Sequence, residues 1–138
     1  MPIPVSPTAR LFYRVAKQRF EDAEFLLEVK RTTAAVYLAG YSVECMLKAM
    51  VLAGVPQTQE RTIAGMFRGA RAHDYGWLLQ LYSDQGGPRV PRQLVPHFVR
   101  VNTWSTEMRY SPGTVELREA KAFLDAAIEI INWADGRV

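Results

Sequence analysis

Apolar residues along this chain recur at the three- and four-residue steps that are typical of amphipathic helices. The first predicted helix runs from about residue 8 to residue 30. Ser6 is its N-cap and Pro7 its first residue, where no amide hydrogen is required. A second predicted helix covers about residues 33 to 53, with Thr32 or Thr33 as its cap and Gly54 after its end. Because only a few residues join the two helices, they should pack as an antiparallel pair.

The helical pattern weakens between residues 55 and 72, where Gly65 and Gly69 interrupt it. This stretch is predicted to be a mobile loop with one helical turn at most. A short third helix follows at about residues 74 to 83, with Asp74 as its cap. The fourth is predicted from about residue 91 to residue 108, and Pro96 either kinks it or moves its start to Val95.

The last predicted helix, from about residue 115 to residue 133 with Thr114 as its cap, has the most regular pattern. Its apolar seam is formed by Leu117, Ala120, Leu124, Ala127, Ile131 and Ala134. A second apolar edge predicts neighbours on two sides, which can include another subunit. We therefore predict an all-α fold, an up-down four-helix bundle with one additional short helix. It forms a single domain over residues 1–138, with an extended tail at residues 1–7.

Composition narrows the classes of protein to which the chain can belong. It is 49% hydrophobic and 22% charged, as is usual for a soluble globular domain. No uninterrupted apolar run is long enough to span a membrane, and the N-terminus does not resemble a signal peptide. Cys45 is the only cysteine and the two histidines are far apart, so no disulfide, metal or cofactor is predicted. These features predict a cytosolic protein without a membrane partner.

The formal net charge of +3 reflects a basic region in the middle of the chain. Between residues 61 and 100 the only acids are Asp74 and Asp84. The bases of this region are Arg61, Arg68, Arg71, Arg89, Arg92 and Arg100. Such a region attracts phosphate, or else forms a solvated basic face. The charge therefore permits RNA binding without establishing it.

Four sequence marks occur in order along the chain. They are Ala23-Glu24-Phe25-Leu26-Leu27, the phrase from Ala39 to Ala49 (Ala-Gly-Tyr-Ser-Val-Glu-Cys-Met-Leu-Lys-Ala), His73-Asp74-Tyr75-Gly76-Trp77-Leu78-Leu79, and Met108-Arg109-Tyr110-Ser111-Pro112. Together they resemble the HEPN family, small helical bundles associated with RNA and with nucleotidyltransferases. The resemblance runs from about residue 10 to residue 135. It implies a homodimer that packs its last helices and neighbouring surfaces together.

In catalytic members of that family, an arginine is followed after four to six residues by a histidine near the start of the final helix. Two such motifs meet across the dimer cleft and cut RNA without a metal; histidine can transfer the proton while arginine holds the phosphate. Arg109 stands at the family position, but no histidine follows it anywhere in the chain. The resemblance is degenerate at this motif, and cleavage by the family mechanism is not expected.

Two other pairs have the required spacing, Arg68 with His73 and Arg92 with His97. The weak catalytic candidates are therefore Arg109, His73 and His97. The candidate binding residues are Arg109, Tyr110, Glu44, Lys48, His73 and Arg68. Each has a plain structural alternative. Glu44 and Lys48 can form a surface i,i+4 pair, His73 can cap or pack locally, and Arg109 can tie its loop to Glu44 or Glu107.

Three hypotheses for function follow. The first is a dimeric, non-catalytic HEPN-like module that contacts RNA or a separate nucleotidyltransferase. The family resemblance implies that such a module can be a component of a toxin–antitoxin pair. The second is a metal-independent endoribonuclease that uses Arg109 with a relocated histidine, His73 or His97. The third is a purely structural dimer.

Overall fold

The computed structural model describes residues 4, 6–110 and 112–138, apart from the side chain of Arg109. Within that part of the chain it contains no strand and six α-helices, which are α1 (Pro7–Glu28), α2 (Thr32–Ala53), α3 (Gln57–Gly65), α4 (Tyr75–Asp84), α5 (Val95–Val101) and α6 (Leu117–Asp135). Short 3-10 helices lie between them at Ala70–His73, Arg92–Leu94 and Thr106–Tyr110. The all-α prediction is confirmed, although the described residues form six helices rather than four with one addition.

α1 begins as the sequence predicts. Pro7 is its first residue, and the Ser6 hydroxyl accepts a hydrogen bond from the amide of Ala9 at 3.1 Å. The same hydroxyl donates to Glu60, which ties the start of α1 to α3. Of the predicted tail at residues 1–7, Pro7 therefore belongs to the helix, while residues 1–3 and 5 lie outside the described residues.

α2 is the central helix of the molecule. It packs against α1, α4 and α6, and every residue from Ser42 to Leu52 is buried. By length and composition alone α2 could cross a membrane, with a mean hydropathy of 1.4, but 83% of the relevant window is buried inside the bundle. A core helix of a soluble protein has the same properties, so the length and hydropathy of α2 are weak evidence for a membrane span.

The stretch after α2 is more ordered than the sequence predicts. In place of a loop with one turn, it contains α3 and the 3-10 helix Ala70–His73. Gly65 is the last residue of α3, so this glycine ends a helix rather than interrupting one. Ile63 is buried in the core and holds α3 in place.

The fourth predicted helix is wrong in its extent. α5 begins at Val95, the second of the two predicted starts, and ends at Val101. Pro96 occupies an early position in this helix, where its missing amide breaks no hydrogen bond. The residues up to Met108, predicted to be helical, instead form a turn and the start of a 3-10 helix.

The predicted threonine caps are also wrong, since neither α2 nor α6 has a side-chain cap at its start. Thr32 donates a hydrogen bond to the carbonyl of Val115 at 2.5 Å, and Thr33 accepts one from the amide of Val115 at 3.1 Å. The two threonines therefore fasten the segment before α6 to the start of α2. Thr114 precedes Val115 and lies two residues before the observed N-cap, Glu116.

α6 finds the neighbours for its two apolar edges within the same chain. It packs against α2 and α5, which bury Phe123 and Ile130 and leave Trp133 half-buried. Its outer face is polar and is formed by Arg118, Lys121, Asp125, Glu129 and Asn132. Most of α6 therefore has no apolar surface left for a second subunit.

Candidate functional site

A buried charged cluster lies where α2 passes the 3-10 helix that precedes α4. Glu44 is 1% exposed and Lys48 is 6% exposed. The Lys48 ammonium lies 2.7 Å from Oε2 of Glu44, and Nδ1 of His73 lies 2.8 Å from Oε1. Both carboxylate oxygens are therefore engaged. The interpretation of Glu44 and Lys48 as a surface pair is wrong.

Aromatic rings complete the surroundings of Lys48. Its ammonium lies 5.6 Å from the ring centre of Phe12 and 5.4 Å from that of Phe67. The negative faces of aromatic rings attract cations, so these rings and Glu44 together compensate in part for the water that the ammonium has lost. Phe67 comes from the stretch predicted to be mobile, and that stretch closes one side of the cluster.

His73 connects the cluster to solvent. Its side chain is 36% exposed, whereas the side chain of Glu44 is only 2% exposed. A carboxylate paired with an ammonium only accepts hydrogen bonds, so Nδ1 donates, which leaves Nε2 as the ring nitrogen available to a ligand. An imidazole held by an acid in this way is the arrangement of a general base with its orienting group. The local role predicted for His73 is wrong, because its partner is 29 residues away.

A wall of stacked aromatic rings stands beside His73. The indole of Trp104 stacks with Tyr37 and with Tyr75, whose ring centres are 6.0 and 5.6 Å away, and it donates its N–H to the Tyr37 carbonyl at 3.0 Å. The Tyr75 hydroxyl donates to the carbonyl of Gly40 at 2.8 Å, and burial raises the pKa of Tyr75 well above its usual value. Trp104 is only 6% exposed, so it is a structural residue rather than a platform for a base.

Gly40 explains how the indole comes so close to α2. A β-carbon at this position would lie 2.2 Å from Trp104, which no side chain tolerates. A glycine inside a long apolar helix indicates such a close approach. Gly40 is therefore a signal in the sequence for this wall, but it does not identify the residue that approaches α2.

An open pocket of about 410 Å³ lies against the wall, and we call it the His73 pocket. It is lined by Ala70, His73, Asp74, Tyr75, Asn102, Trp104, Ser105, Thr106 and Glu107. The residues from Asn102 to Glu107 are not among the predicted site residues, because the sequence pattern predicts a long helix there. Hydroxyl, amide and carboxylate groups predominate among its polar side chains, and these groups can pair with the donors and acceptors of a planar polar ligand.

The remaining predicted site residues are more scattered. Arg68 is exposed in the turn before Ala70–His73. His97 is half-buried on α5, and Arg92 is exposed in the 3-10 helix before α5. Neither histidine is part of a metal cluster, since the described residues contain no group of three or more His, Cys, Asp or Glu side chains that could hold an ion.

Two predicted site residues lie at the end of the 3-10 helix Thr106–Tyr110. Tyr110 is 77% exposed there. The side chain of Arg109 lies outside the described residues, as does Ser111, so the predicted tie of Arg109 to Glu44 or Glu107 stays a prediction.

Cys45 is a core residue. It is 5% exposed, and burial, reinforced by the neighbouring Glu44 carboxylate, raises the pKa of its thiol to about 12. A thiol with so high a pKa is a poor nucleophile at neutral pH. The chemistry of the site therefore rests on His73 and on the pocket.

Comparison with known proteins agrees with the sequence marks. Searches of curated proteins and of solved structures find no match. The family model described as the HEPN domain matches residues 9–137, nearly the whole chain. The chain therefore belongs to the HEPN family.

Proposed function

We propose that this HEPN chain is a dimeric binding module that contacts RNA and does not cleave it by the Arg–His mechanism. One observation carries the proposal: an exposed imidazole is fixed on a buried Glu44–Lys48 pair at the edge of a polar pocket. A side chain fixed in this way loses little entropy when a ligand binds. The sequence has no histidine after Arg109, so the family's own acid/base is missing.

The His73 pocket suits a nucleobase better than a phosphate. Asp74 and Glu107 line it, and their carboxylates would repel a phosphate, whereas a base can donate hydrogen bonds to such groups. The phosphates would instead meet Arg68 and Arg71, which are exposed just before His73. The guanidinium of Arg71 already lies 5.0 Å from the ring centre of Trp77, which limits its motion.

A second copy of the chain is proposed to dock where α6 begins. Val95 and Val99 on α5 and Leu117 at the start of α6 are 49%, 66% and 37% exposed, and we call these three residues the α5–α6 surface. Val99 lines a groove of about 610 Å³, together with Val115 and Phe123. HEPN domains commonly dimerise, which supports a second copy as the occupant.

RNA binding is tested by fluorescence anisotropy with a labelled single-stranded RNA in chelator, at several salt concentrations. The affinity of the parent should fall as salt rises, because phosphate contacts release counterions. Arg68→Gln with Arg71→Gln should reduce the slope of log K against log salt by about 1.4, at about 0.7 for each phosphate contact. His73→Ala should weaken binding with little change in slope, since it contacts the base.

Arg118→Gln is the matched control, because Arg118 is exposed on the outer face of α6. It should bind RNA as the parent does. Affinity that does not depend on salt, or equal binding by all four proteins, would contradict the proposal.

The Glu44–His73 hydrogen bond favours a second candidate, a metal-independent endoribonuclease. In that case Nε2 of His73 would take the proton from a ribose hydroxyl while Glu44 stabilises the charged ring. Cleavage in chelator that is lost in His73→Asn and retained in His97→Asn would establish this activity and replace the binding module. Arg109→Ala tests whether the arginine at the family position takes part.

The biological setting is part of the same proposal. We propose a nucleotidyltransferase partner that is a separate polypeptide. A role in a toxin–antitoxin pair and a cytosolic location are proposed with it. Co-purification of a nucleotidyltransferase from the native host at high salt tests the partner, and isolation of this chain alone would count against it.

A further inference from the structure

The solvent-facing side of α1 carries large apolar side chains that the bundle leaves uncovered. Leu11 is 59% exposed, Phe25 is 63% exposed and Val29 is 50% exposed. Leu11, Gln18 and Phe25 recur at seven-residue steps, which places them on one stripe of the helix. The opposite, buried side of α1 is formed by Ala9, Ala16, Phe20 and Ala23.

α1 also separates its charges by sign. Its bases, Arg10, Arg14, Lys17 and Arg19, all precede its acids, Glu21, Asp22, Glu24 and Glu28. A lone helix favours the reverse, because its dipole attracts acids near the N-terminus and bases near the C-terminus. Lys17 is engaged with Asp135 of α6 at 2.6 Å, and Arg19 with Asp22 at 3.5 Å, but these contacts do not account for the pattern as a whole. An antiparallel second helix would meet each half with the opposite charge and the opposite dipole.

We propose that this stripe, namely Leu11, Arg14, Gln18, Asp22 and Phe25, is a surface on which a second copy of the chain docks. The two α1 helices lie antiparallel about a two-fold axis at Gln18. In this register Leu11 of one copy faces Phe25 of the other, and Arg14 faces Asp22. We call these residues the α1 stripe.

The sequence of the stripe favours a second copy over an unrelated partner. A two-fold contact requires that one patch complement itself, so that each pairing occurs twice. The α1 stripe meets this requirement in both apolar and charged positions, since Leu11 with Phe25 and Arg14 with Asp22 are each placed symmetrically about Gln18.

The inference goes beyond the proposed function, because the α1 stripe shares no residue with the α5–α6 surface. Contact along one helix buries less area than the roughly 1,200–2,000 Å² of a standard stable interface. We therefore expect association that needs higher concentration than the dimer, and that joins dimers into a tetramer or a chain.

The first test reverses single charges of the stripe. Association is measured by sedimentation velocity at protein concentrations up to about 200 µM, where a weak contact is populated. The test is made in a Val99→Lys background, which removes the α5–α6 surface. The background chain should double in mass as concentration rises. Arg14→Glu alone or Asp22→Arg alone should stay monomeric, because like charges then meet twice across the axis.

An equimolar mixture of these two variants should recover the doubled mass. In the mixed pair, the new acid of one chain faces the new base of the other, and the two original charges also face each other. Association of either variant as strong as the background's, or a mixture that does not recover, would overturn the proposal. If the α5–α6 surface is wrong, Val99→Lys changes nothing, but the charge variants still report on α1.

A second test uses cross-linking, which does not depend on charge. Gln18→Cys lies at the two-fold axis and should form a covalent dimer under mild oxidation. Glu24→Cys, exposed on another side of α1, should not. The native Cys45 is buried and does not interfere. Equal cross-linking of the two variants would overturn the two-fold arrangement. So would the absence of a cross-linked Gln18→Cys dimer at a protein concentration of about 200 µM.

Discussion

Glu44 is the residue on which the site depends, because its carboxylate engages both Lys48 and His73. Glu44→Gln keeps the shape of the side chain but leaves the Lys48 ammonium buried without a counter-charge. Loss of one partner from a buried ion pair costs about 3–5 kcal/mol, and we expect the free energy of unfolding in urea to fall by that amount.

A double variant separates the charge from the packing. Glu44→Gln with Lys48→Met should lose less stability than the sum of the single variants, because no charge then remains buried. Asp22→Asn is the control; its pair with Arg19 is exposed, so the free energy of unfolding should change by less than about 0.5 kcal/mol. Strictly additive losses at Glu44 and Lys48 would show that the pair is not coupled.

The thiol of Cys45 gives the folded protein a predictable response to alkaline pH. Its pKa is about 12 in the fold, against 9.0 for an unperturbed thiol. Its contribution to stability is therefore complete below pH 9 and is lost as the pH rises toward 12, because only the unfolded chain releases the proton.

We expect the free energy of unfolding to fall by up to about 1.4 kcal/mol for each pH unit through this one group. The loss should be smaller in Cys45→Ala. Urea titrations between about pH 8.5 and 10 measure the difference between the two proteins. The upper limit is the pH at which Tyr75 begins to contribute as well. An identical pH slope in the two proteins would contradict the burial of the thiol.

At the scale of the element, α2 and the segment after α5 fit together through Gly40 and Trp104. Gly40→Ala forces the indole away from α2, and overpacking of this kind costs about 1–3 kcal/mol. Urea unfolding measures the loss, and the near-ultraviolet circular dichroism of the stacked rings should weaken. Gly65→Ala, where an added β-carbon meets nothing within 4 Å, should leave both unchanged or slightly raise stability. Equal effects at the two glycines would contradict the contact.

How far the sequence predicts the fold depends on where each element finds its partners. α1, α2 and α6 have long apolar patterns, and their periodicity alone gives their positions to within a few residues. α3 has a single buried residue, Ile63, so its pattern is too weak to distinguish it from a loop. Thr32 and Thr33 were predicted as caps because local chemistry favours that role, but their partners lie at the other end of the chain.

The site was predictable to the same limited extent. The spacing of Glu44 and Lys48 showed that they would meet, and the structure confirms the pair. Their burial was not predictable, because it depends on Phe67 and His73, which are brought onto α2 by the packing of a separate segment. Long-range contacts of this kind leave no periodic trace in the sequence.

At the scale of the whole molecule, most of the large apolar side chains that are exposed among the described residues belong to the α5–α6 surface or to the α1 stripe; Val29 and Tyr110 are the others. The outer face of α6, by contrast, carries Lys121, Asp125 and Glu129. The family resemblance implies dimerisation through the last helices and their neighbours. In the dimer that we propose, the contact lies on α5 and at the start of α6, since the rest of α6 is either buried or polar.

Val99→Lys tests this assignment, because it places an ammonium at the most exposed apolar position of the α5–α6 surface. At a protein concentration of about 5 µM the weaker α1 contact is not populated. The parent should then sediment as a dimer and the variant as a monomer. The unfolding temperature of the parent should rise with protein concentration, and that of the variant should not. Glu129→Lys, on the outer face of α6, should remain dimeric. A monomeric parent, or a Glu129→Lys variant that dissociates while Val99→Lys does not, would place the dimer contact elsewhere.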